Sequence, residues 1–212
     1  MIVLSVNKSI STEITVNGKT EYTGYFKKPV DQIYLSKSGV QDDFVADLVH
    51  HGGEDKACYL FGFNHYSFWQ NQYPDIPFKN GAFGENITLD SLDESQLKIG
   101  DIIQIGEAKI QISQPRQPCY KMGIKFNDPK IVNNYRLSHT PGIYVRVLSE
   151  GWVKTSDIAT VIESNVNSPT VLETFELIYQ EKPDNTKLNS IINNKFVAQR
   201  LKNYLKGKFN IV

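Results

Sequence analysis

The sequence predicts a mainly β fold, a β-barrel or sandwich with a few packed helices, followed by a small C-terminal bundle of α-helices. Three observations predict it. Short runs rich in β-branched and aromatic residues recur up to about residue 163, and turns carrying Gly or Asp separate many of them. An Asn17-Gly18 pair between two such runs is the strongest short-range hairpin signal. After Asn165 the apolar residues fall instead at helical spacing.

In chain order, residues 2–6 read as a first strand, and residues 13–16 and 22–26 as a hairpin around Asn17-Gly18. Strands are expected at 32–35, 86–89, 101–105, 109–113, 143–148 and 158–162, with turns at Gly100-Asp101, Gly106-Glu107, Pro141-Gly142 and Glu150-Gly151. Residues 55–72 break this pattern. Tyr59, Phe63 and Tyr66 stand at helical spacing and Pro74 and Pro77 follow, which predicts a helix packed on the sheet. A shorter helix is expected over 129–137.

Beyond Asn165, Ser168-Pro169 offers an N-cap with proline at the first helical position, and Thr170 with Glu173 offers an alternative capping box. Leu172, Phe175 and Tyr179 make one apolar face, Leu188, Ile191 and Ile192 a second, and Val197, Leu201, Tyr204 and Leu205 a third. Three such short helices cannot hold a core alone, so they are expected to rest on the strands or on a partner subunit. The expected division is residues 1–163 and 164–212.

Composition narrows the function classes. With 212 residues, of which 40% are hydrophobic, the chain can bury a substantial core. Its 23 basic and 23 acidic side chains cancel, which argues against a dedicated nucleic-acid binder and requires any anion site to be local. The N-terminal stretch lacks a charged leader region, and no apolar run is long enough to span a membrane, so a cytoplasmic location is expected. In a reducing compartment the two cysteines, Cys58 and Cys119, stay thiols.

Three segments can carry chemistry. In His50-His51-Gly52-Gly53-Glu54-Asp55-Lys56, the glycines let backbone approach a ligand, Asp55 can cap a helix, and Lys56 can reach a phosphate or carboxylate. The competing reading is a capped turn with solvated side chains. Adjacent histidines point apart in regular structure, which disfavours a zinc site made from both. In Gly81-Ala82-Phe83-Gly84-Glu85-Asn86-Ile87, Glu85 and Asn86 can hydrogen-bond a heterocycle and Phe83 can form an apolar wall; a tight loop entering an edge strand accounts for the same residues. In Gln114-Pro115-Arg116-Gln117-Pro118-Cys119-Tyr120-Lys121, two prolines stiffen the loop, and Arg116 and Lys121 flank the sulfur. Positive neighbours favour the thiolate, the form that attacks or ligates a metal. An inert, half-buried cysteine is the alternative there, and Cys58 in its apolar run reads as packing.

In their order and spacing these segments resemble the MOSC family, named for the C-terminal domain of molybdenum cofactor sulfurase. The series runs Ala46-Asp47-Leu48-Val49-His50-His51-Gly52-Gly53, Asp55-Lys56-Ala57, Tyr66-Ser67-Phe68-Trp69, Gly81 to Thr88, Ile99-Gly100-Asp101 and Gln114 to Cys119. The C-terminal helices look like the three-helix extension of its stand-alone bacterial, YiiM-like subgroup. The resemblance implies a MOSC-type β-barrel. It implies a molybdenum cofactor (molybdopterin), with Cys119 as the molybdenum ligand or, in sulfurase-type members, as a persulfide carrier; pyridoxal phosphate binding is a further family-level association. The subgroup is associated with reduction of N-hydroxylated bases and related compounds. Cys119, His51 and Asp55 are then the candidate catalytic residues. His50, Gly52, Gly53, Lys56, Phe83, Gly84, Glu85, Asn86, Arg116 and Lys121 are the candidates for holding the cofactor.

The sequence carries no evident flavin, haem or iron–sulfur motif, so an external electron-donor protein is an expected partner, beside a small N-hydroxylated substrate and a second copy in a homodimer. Two other classes stay open: a sulfur carrier with a persulfide on Cys119, and a non-enzymatic module that stores or delivers cofactor. A zinc hydrolase is a more distant reading, because its ligand set is poor.

Overall fold

The computed structural model describes residues 1–211, with the side chains of Val49 and His50 outside the described residues. The elements are β1 (Val3–Lys8), β2 (Thr12–Val16), β3 (Lys19–Thr23), β4 (Lys28–Val30), β5 (Gln32–Ser36), β6 (Gly39–Val40) and α1 (Leu48–His51). Then come β7 (Cys58–Gly62), α2 (Tyr66–Gln72), β8 (Ile87–Leu89), β9 (Ile102–Ile105), β10 (Ala108–Pro115), α3 (Lys121–Lys125) and α4 (Ile131–Leu137). The chain ends with β11 (Ile143–Ser149), β12 (Gly151–Lys154), β13 (Ala159–Glu163), α5 (Val171–Tyr179), α6 (Asn185–Asn193) and α7 (Gln199–Lys208).

Eight strands form one mixed sheet in the order β13-β9-β10-β11-β7-β8-β1-β4, beside a three-stranded sheet β12-β5-β6 and the β2-β3 hairpin. The sheet-rich character matches expectation, but the large sheet does not close into a barrel. The chain just before β1 meets the chain just before β13 through an isolated antiparallel bridge, Ile2↔Ile158, and a few backbone hydrogen bonds around it, while the end strand β4 stays apart from β13 in the strand order. Closure needs a continuous hydrogen-bond stagger around the ring, and here the strand order stops at β4 and β13. The hairpin turn behaves as its sequence predicts, with Asn17 and Gly18 both at positive φ (50° and 76°).

The helix expected over residues 55–72 is corrected. Its α-helical part is confined to Tyr66–Gln72, with single 3-10 turns at Glu54–Lys56 and Phe63–His65, and residues Cys58–Gly62 are a strand buried on both faces. β7 pairs antiparallel with β11 (Leu60 opposite Ile143) and parallel with β8 (Leu60 opposite Ile87). A continuous apolar run reads alike as a central strand or a buried helix, and the neighbouring strands decide the matter here. β8 is likewise central, not an edge strand.

Residues from the large sheet and the C-terminal helices share one apolar core, in which Leu60, Ile110 and Val145 belong with Leu177, Ile191 and Leu205. A second cluster is aromatic: Tyr59, Phe61, Tyr66, Trp69, Phe83 and Tyr135 pack with Met122 and Ile131. Phe83 is fully buried there, its ring 4.7 Å from that of Phe61. No helix among the described residues is long and apolar enough to cross a membrane.

Of the two N-caps offered to α5, the chain uses the second. Thr170 Oγ1 accepts from the Glu173 backbone N–H at 3.0 Å, and Glu173 accepts from the Thr170 N–H at 2.9 Å. Thr170→Ala is therefore expected to cost about 1 kcal/mol. Urea unfolding should show a lower midpoint at constant slope, and an unchanged midpoint would speak against the cap.

Candidate functional site

A cavity of about 290 Å³ opens beside β7, at the ends of strands that deliver residues from all three sequence segments. Its lining includes His51, Gly52 and Lys56 from the first, Gly84 and Asn86 from the second, and Arg116, Cys119 and Lys121 from the third. Residues absent from the sequence-based candidates complete it: Tyr25, Lys27, Asp43, Phe44, Asp47, Tyr59 and Tyr144.

The third segment leaves the sheet at the end of β10. The β10-β11 register slips between Ile112 and Gln114, a local irregularity that re-aims the strand end. Arg116 then folds inward and is only 4% exposed. Its guanidinium carbon lies 4.8 Å from the Tyr59 ring centroid, 5.4 Å from Tyr25 and 5.5 Å from Tyr135, an aromatic cage that stabilises a cation through ring faces. The rings are themselves anchored: Tyr59 and Tyr135 share a hydroxyl–hydroxyl bond at 2.9 Å, and both donate to the Pro141 carbonyl at 3.1 and 2.6 Å. Burial pushes both phenols well above their ordinary range, so they stay neutral. Arg116 Nη1 finds no hydrogen-bond partner among the described residues, although it is buried. A buried donor left this way is costly and marks a place for an acceptor from outside.

Cys119 is free, half-buried, and lies between Arg116 and the start of α3. Cys58 is sealed in the core, where burial pushes its thiol up, as befits a packing residue. Among the described residues, no group of three or more His, Cys, Asp or Glu side chains is placed to hold a metal ion.

The first segment is held from behind. Asp55 does not line the cavity. Its carboxylate accepts from Arg146 Nε on β11 at 2.9 Å and from the Gln199 N–H at the start of α7 at 3.3 Å, while its carbonyl accepts from Ser113 Oγ. Asp55 is thus committed to structure, and the turn it anchors presents Lys56, whose Nζ sits 5.6 Å from the Tyr144 ring centroid. Burial, then the Arg200 charge, lowers the Lys56 ammonium below its ordinary range. Gly53, at φ +90°, is exposed and outside the lining, so its role is the turn itself. The His50 side chain lies outside the described residues.

In the second segment the expected roles also divide. Glu85 is fully buried away from the cavity, where it accepts from the N–H groups of Gly81 (2.7 Å) and Phe83 (3.0 Å) and from the Thr88 and Tyr66 hydroxyls. It shapes the loop. Phe83 belongs to the aromatic core, and the rings facing the cavity are Tyr25, Phe44, Tyr59 and Tyr144 instead. Gly84 at φ +81° lets the chain pass the Tyr25 ring, which a Cβ would meet at 3.2 Å. Asn86 lines the cavity but is fully engaged: its Oδ1 accepts from the Tyr59 N–H at 3.2 Å and its Nδ2 donates to Asp43 at 2.8 Å and to the Asn7 carbonyl at 3.3 Å. Asp43 also forms a buried ion pair with Lys27.

The MOSC domain family model matches residues 47–160. The protein YflK of Bacillus subtilis is 40% identical over 152 residues, covering 71% of this chain and 68% of that protein. Protein YiiM of Escherichia coli is 32% identical over 163 residues, covering 76% and 72%. A protein named reductase from Gibberella moniliformis is 29% identical over 134 residues, 62% of this chain and 24% of that protein. The crystal structure of YiiM from Geobacillus stearothermophilus superposes with a TM-score of 0.81 at 27% identity, covering 98% of both chains.

His51 yields a prediction. Burial, then the charges of Arg116 and Lys56, lowers its imidazole from 6.5 to about 4, so it is neutral at pH 7. A folded value below the unfolded one means the unfolded chain binds the proton first as pH falls. Stability should therefore be intact above about pH 6.5 and decline from there towards pH 4. An NMR titration should place the His51 midpoint near 4. A midpoint at the ordinary histidine value would refute the electrostatic picture of the cavity.

Proposed function

Because this chain belongs to the MOSC-domain family and is YiiM-like within it, we propose that it is a molybdenum-cofactor-binding reductase of N-hydroxylated bases and related compounds. The observation that carries this reading is the meeting of a half-buried cysteine and a buried guanidinium, one of whose nitrogens has no hydrogen-bond partner among the described residues, in the lining of one cavity.

The residues present fit such a group. A thiolate is a soft ligand suited to a redox-active metal, and Cys119 is the cysteine that lines the cavity. The cofactor carries a phosphate, and Arg116, Lys56 and Lys121 put three cationic side chains around the same space. Arg116 would hold it through Nη1, with its charge kept in place by the tyrosine rings. Asn86 would shape the pocket through its fixed side chain, and the Gly84 backbone leaves the room.

When bound, the cofactor supplies the two electrons of the reaction. Overall, an N-hydroxylated substrate takes two electrons and two protons and gives the amine and water. The protein's part is to bind, orient and limit water. His51, neutral at pH 7, can donate from one ring nitrogen and accept at the other, so it can position a substrate N–H or relay a proton through water. Asp55 is left out of this step, because Arg146 and Gln199 occupy its carboxylate. Electrons are proposed to come from a separate donor protein.

Purification from a host that makes molybdenum cofactor, followed by metal analysis, tests the reading. The wild-type protein should carry molybdenum, Cys119→Ala should lose it, and Arg116→Met should retain less. Wild-type protein with a suitable electron donor should convert an N-hydroxylated base to the amine. Equal molybdenum in wild type and Cys119→Ala, or none in either, would overturn the proposal.

A further inference from the structure

Beside the cavity lies a second, outer space of about 570 Å³, and Phe44, Ala46, Asp47 and Lys121 line both. The β2-β3 hairpin borders the two. Thr23 and Gly24 line the inner space, and Glu21 and Tyr22 line the outer one. Cys119 likewise lines the inner space and its chain neighbour Tyr120 the outer one, so the hairpin and the cysteine loop share both.

The hairpin depends on its anchors. Its strands pair with each other in a sheet of their own, Ile14 opposite Glu21 and Thr12 opposite Thr23. Within those strands only Ile14 and Thr23 are buried. A two-stranded ribbon with so little burial is marginally stable by itself in water. At its foot the chain is clamped: Ser9, before β2, and Gly24, after β3, both close on Phe44. The Phe44 N–H donates to the Ser9 carbonyl at 3.0 Å, and the Ser9 hydroxyl donates to the Phe44 carbonyl at 3.3 Å. A Cβ on Gly24 would stand 1.7 Å from that same carbonyl oxygen, so only glycine fits there.

Higher up, the arm is held differently. The Tyr120 hydroxyl donates to the Glu21 carboxylate at 2.6 Å, joining the arm to the residue next to Cys119. Facing residues of an antiparallel pair share a face, so Glu21 lies on the side that buries Ile14, the side turned towards the protein. That bond, then burial, pushes the Tyr120 phenol up to about 12, so the donor keeps its proton at physiological pH. Tyr120 is 50% exposed, however, and a hydrogen bond that water can replace contributes only modestly in net terms. The foot is fixed by backbone packing, whereas the arm is fastened by a bond that can open.

We propose that the β2-β3 hairpin is a lid over the Cys119 cavity, pivoting at its foot against Phe44 and latched by the hydrogen bond from Tyr120 to Glu21. Opening the latch frees the arm beside the sulfur without parting any strand of the large sheet, because the hairpin shares no ladder with it. Closing it restricts water and reagents at Cys119. The lid lies before the matched family residues 47–160, and it goes beyond the reductase reading, since it governs access to Cys119 whatever binds there.

Thiol labelling tests the lid without any turnover. The full-length chain is made in a host that lacks molybdenum cofactor, and intact-mass spectrometry follows Cys119 modification by a bulky maleimide and by the small methyl methanethiosulfonate. Cys58 is sealed in the core, and Cys119→Ala marks the background. The ratio of bulky to small labelling rates cancels changes in the reactivity of the sulfur itself. Tyr120→Phe, which keeps the ring, and Glu21→Ala, on the other side of the latch, should each raise that ratio roughly fivefold, the effect of losing one such bond. The double variant should rise no further, because both changes remove the same interaction. A ratio unchanged in either single variant, or effects that multiply in the double variant, overturns the lid. The reductase reading stands or falls separately, on the metal and turnover measurements above.

Discussion

One buried carboxylate holds the cavity together. Asp43 accepts from the Ser9 N–H and hydroxyl at 2.8 and 2.9 Å, from Asn86 at 2.8 Å, and from Lys27, whose side chain is 7% exposed. Those donors come from the end of β1, the approach to β8 and the link between β3 and β4. Three walls therefore converge on one anion. Taking two charges out of water is expensive, and breaking such a pair from one side costs about 3–5 kcal/mol. Good geometry and the extra neutral donors offset the desolvation, and the same bonds carry the contact among these segments just past the ends of the ladders that join β1 to β4 and to β8.

Against that anion stands a cation with a different solution. Arg116 has no carboxylate partner among the described residues, and tyrosine rings receive its charge instead. The contrast matters for binding. Lys27 is neutralised within the protein, whereas Arg116, which lines the cavity, has no carboxylate partner and one nitrogen without a hydrogen-bond partner among the described residues. An anionic group entering the cavity finds one cation already spent on structure and another still available. Burial, and after it the positive charges of Arg116 and Lys56, keeps His51 neutral.

Much of this was legible in the sequence where local rules decide. The Asn17-Gly18 turn and the three C-terminal helices follow from residue types and spacing alone. β7 did not, because Cys58–Gly62 is apolar throughout, and only its two neighbouring strands show that it is extended. That misreading also hid Tyr59, whose ring caps Arg116 from within the run. The motif segments do meet at one cavity, but sequence proximity did not separate residues that face it from those that support it. Glu85, Phe83 and Asp55 carry the right chemistry and point to structural partners. Asp43 and Tyr25 face the cavity without any motif around them, since their position depends on long-range contacts between distant segments.

The bond between Asp55 and α7 has a consequence for how the molecule comes apart. Arg146, which grips Asp55, also donates to the Phe196 carbonyl at 3.0 Å, and the Ala198 N–H donates to Ser113 at 3.1 Å. The tail is thus pinned to the back of the Lys56 turn at several points. Loosening of α7 would take away the Gln199 N–H that Asp55 accepts and so one of the supports of that turn. The terminal helices are thus part of what keeps the cavity's floor in place, through the core they share with the sheet and through these bonds behind Lys56.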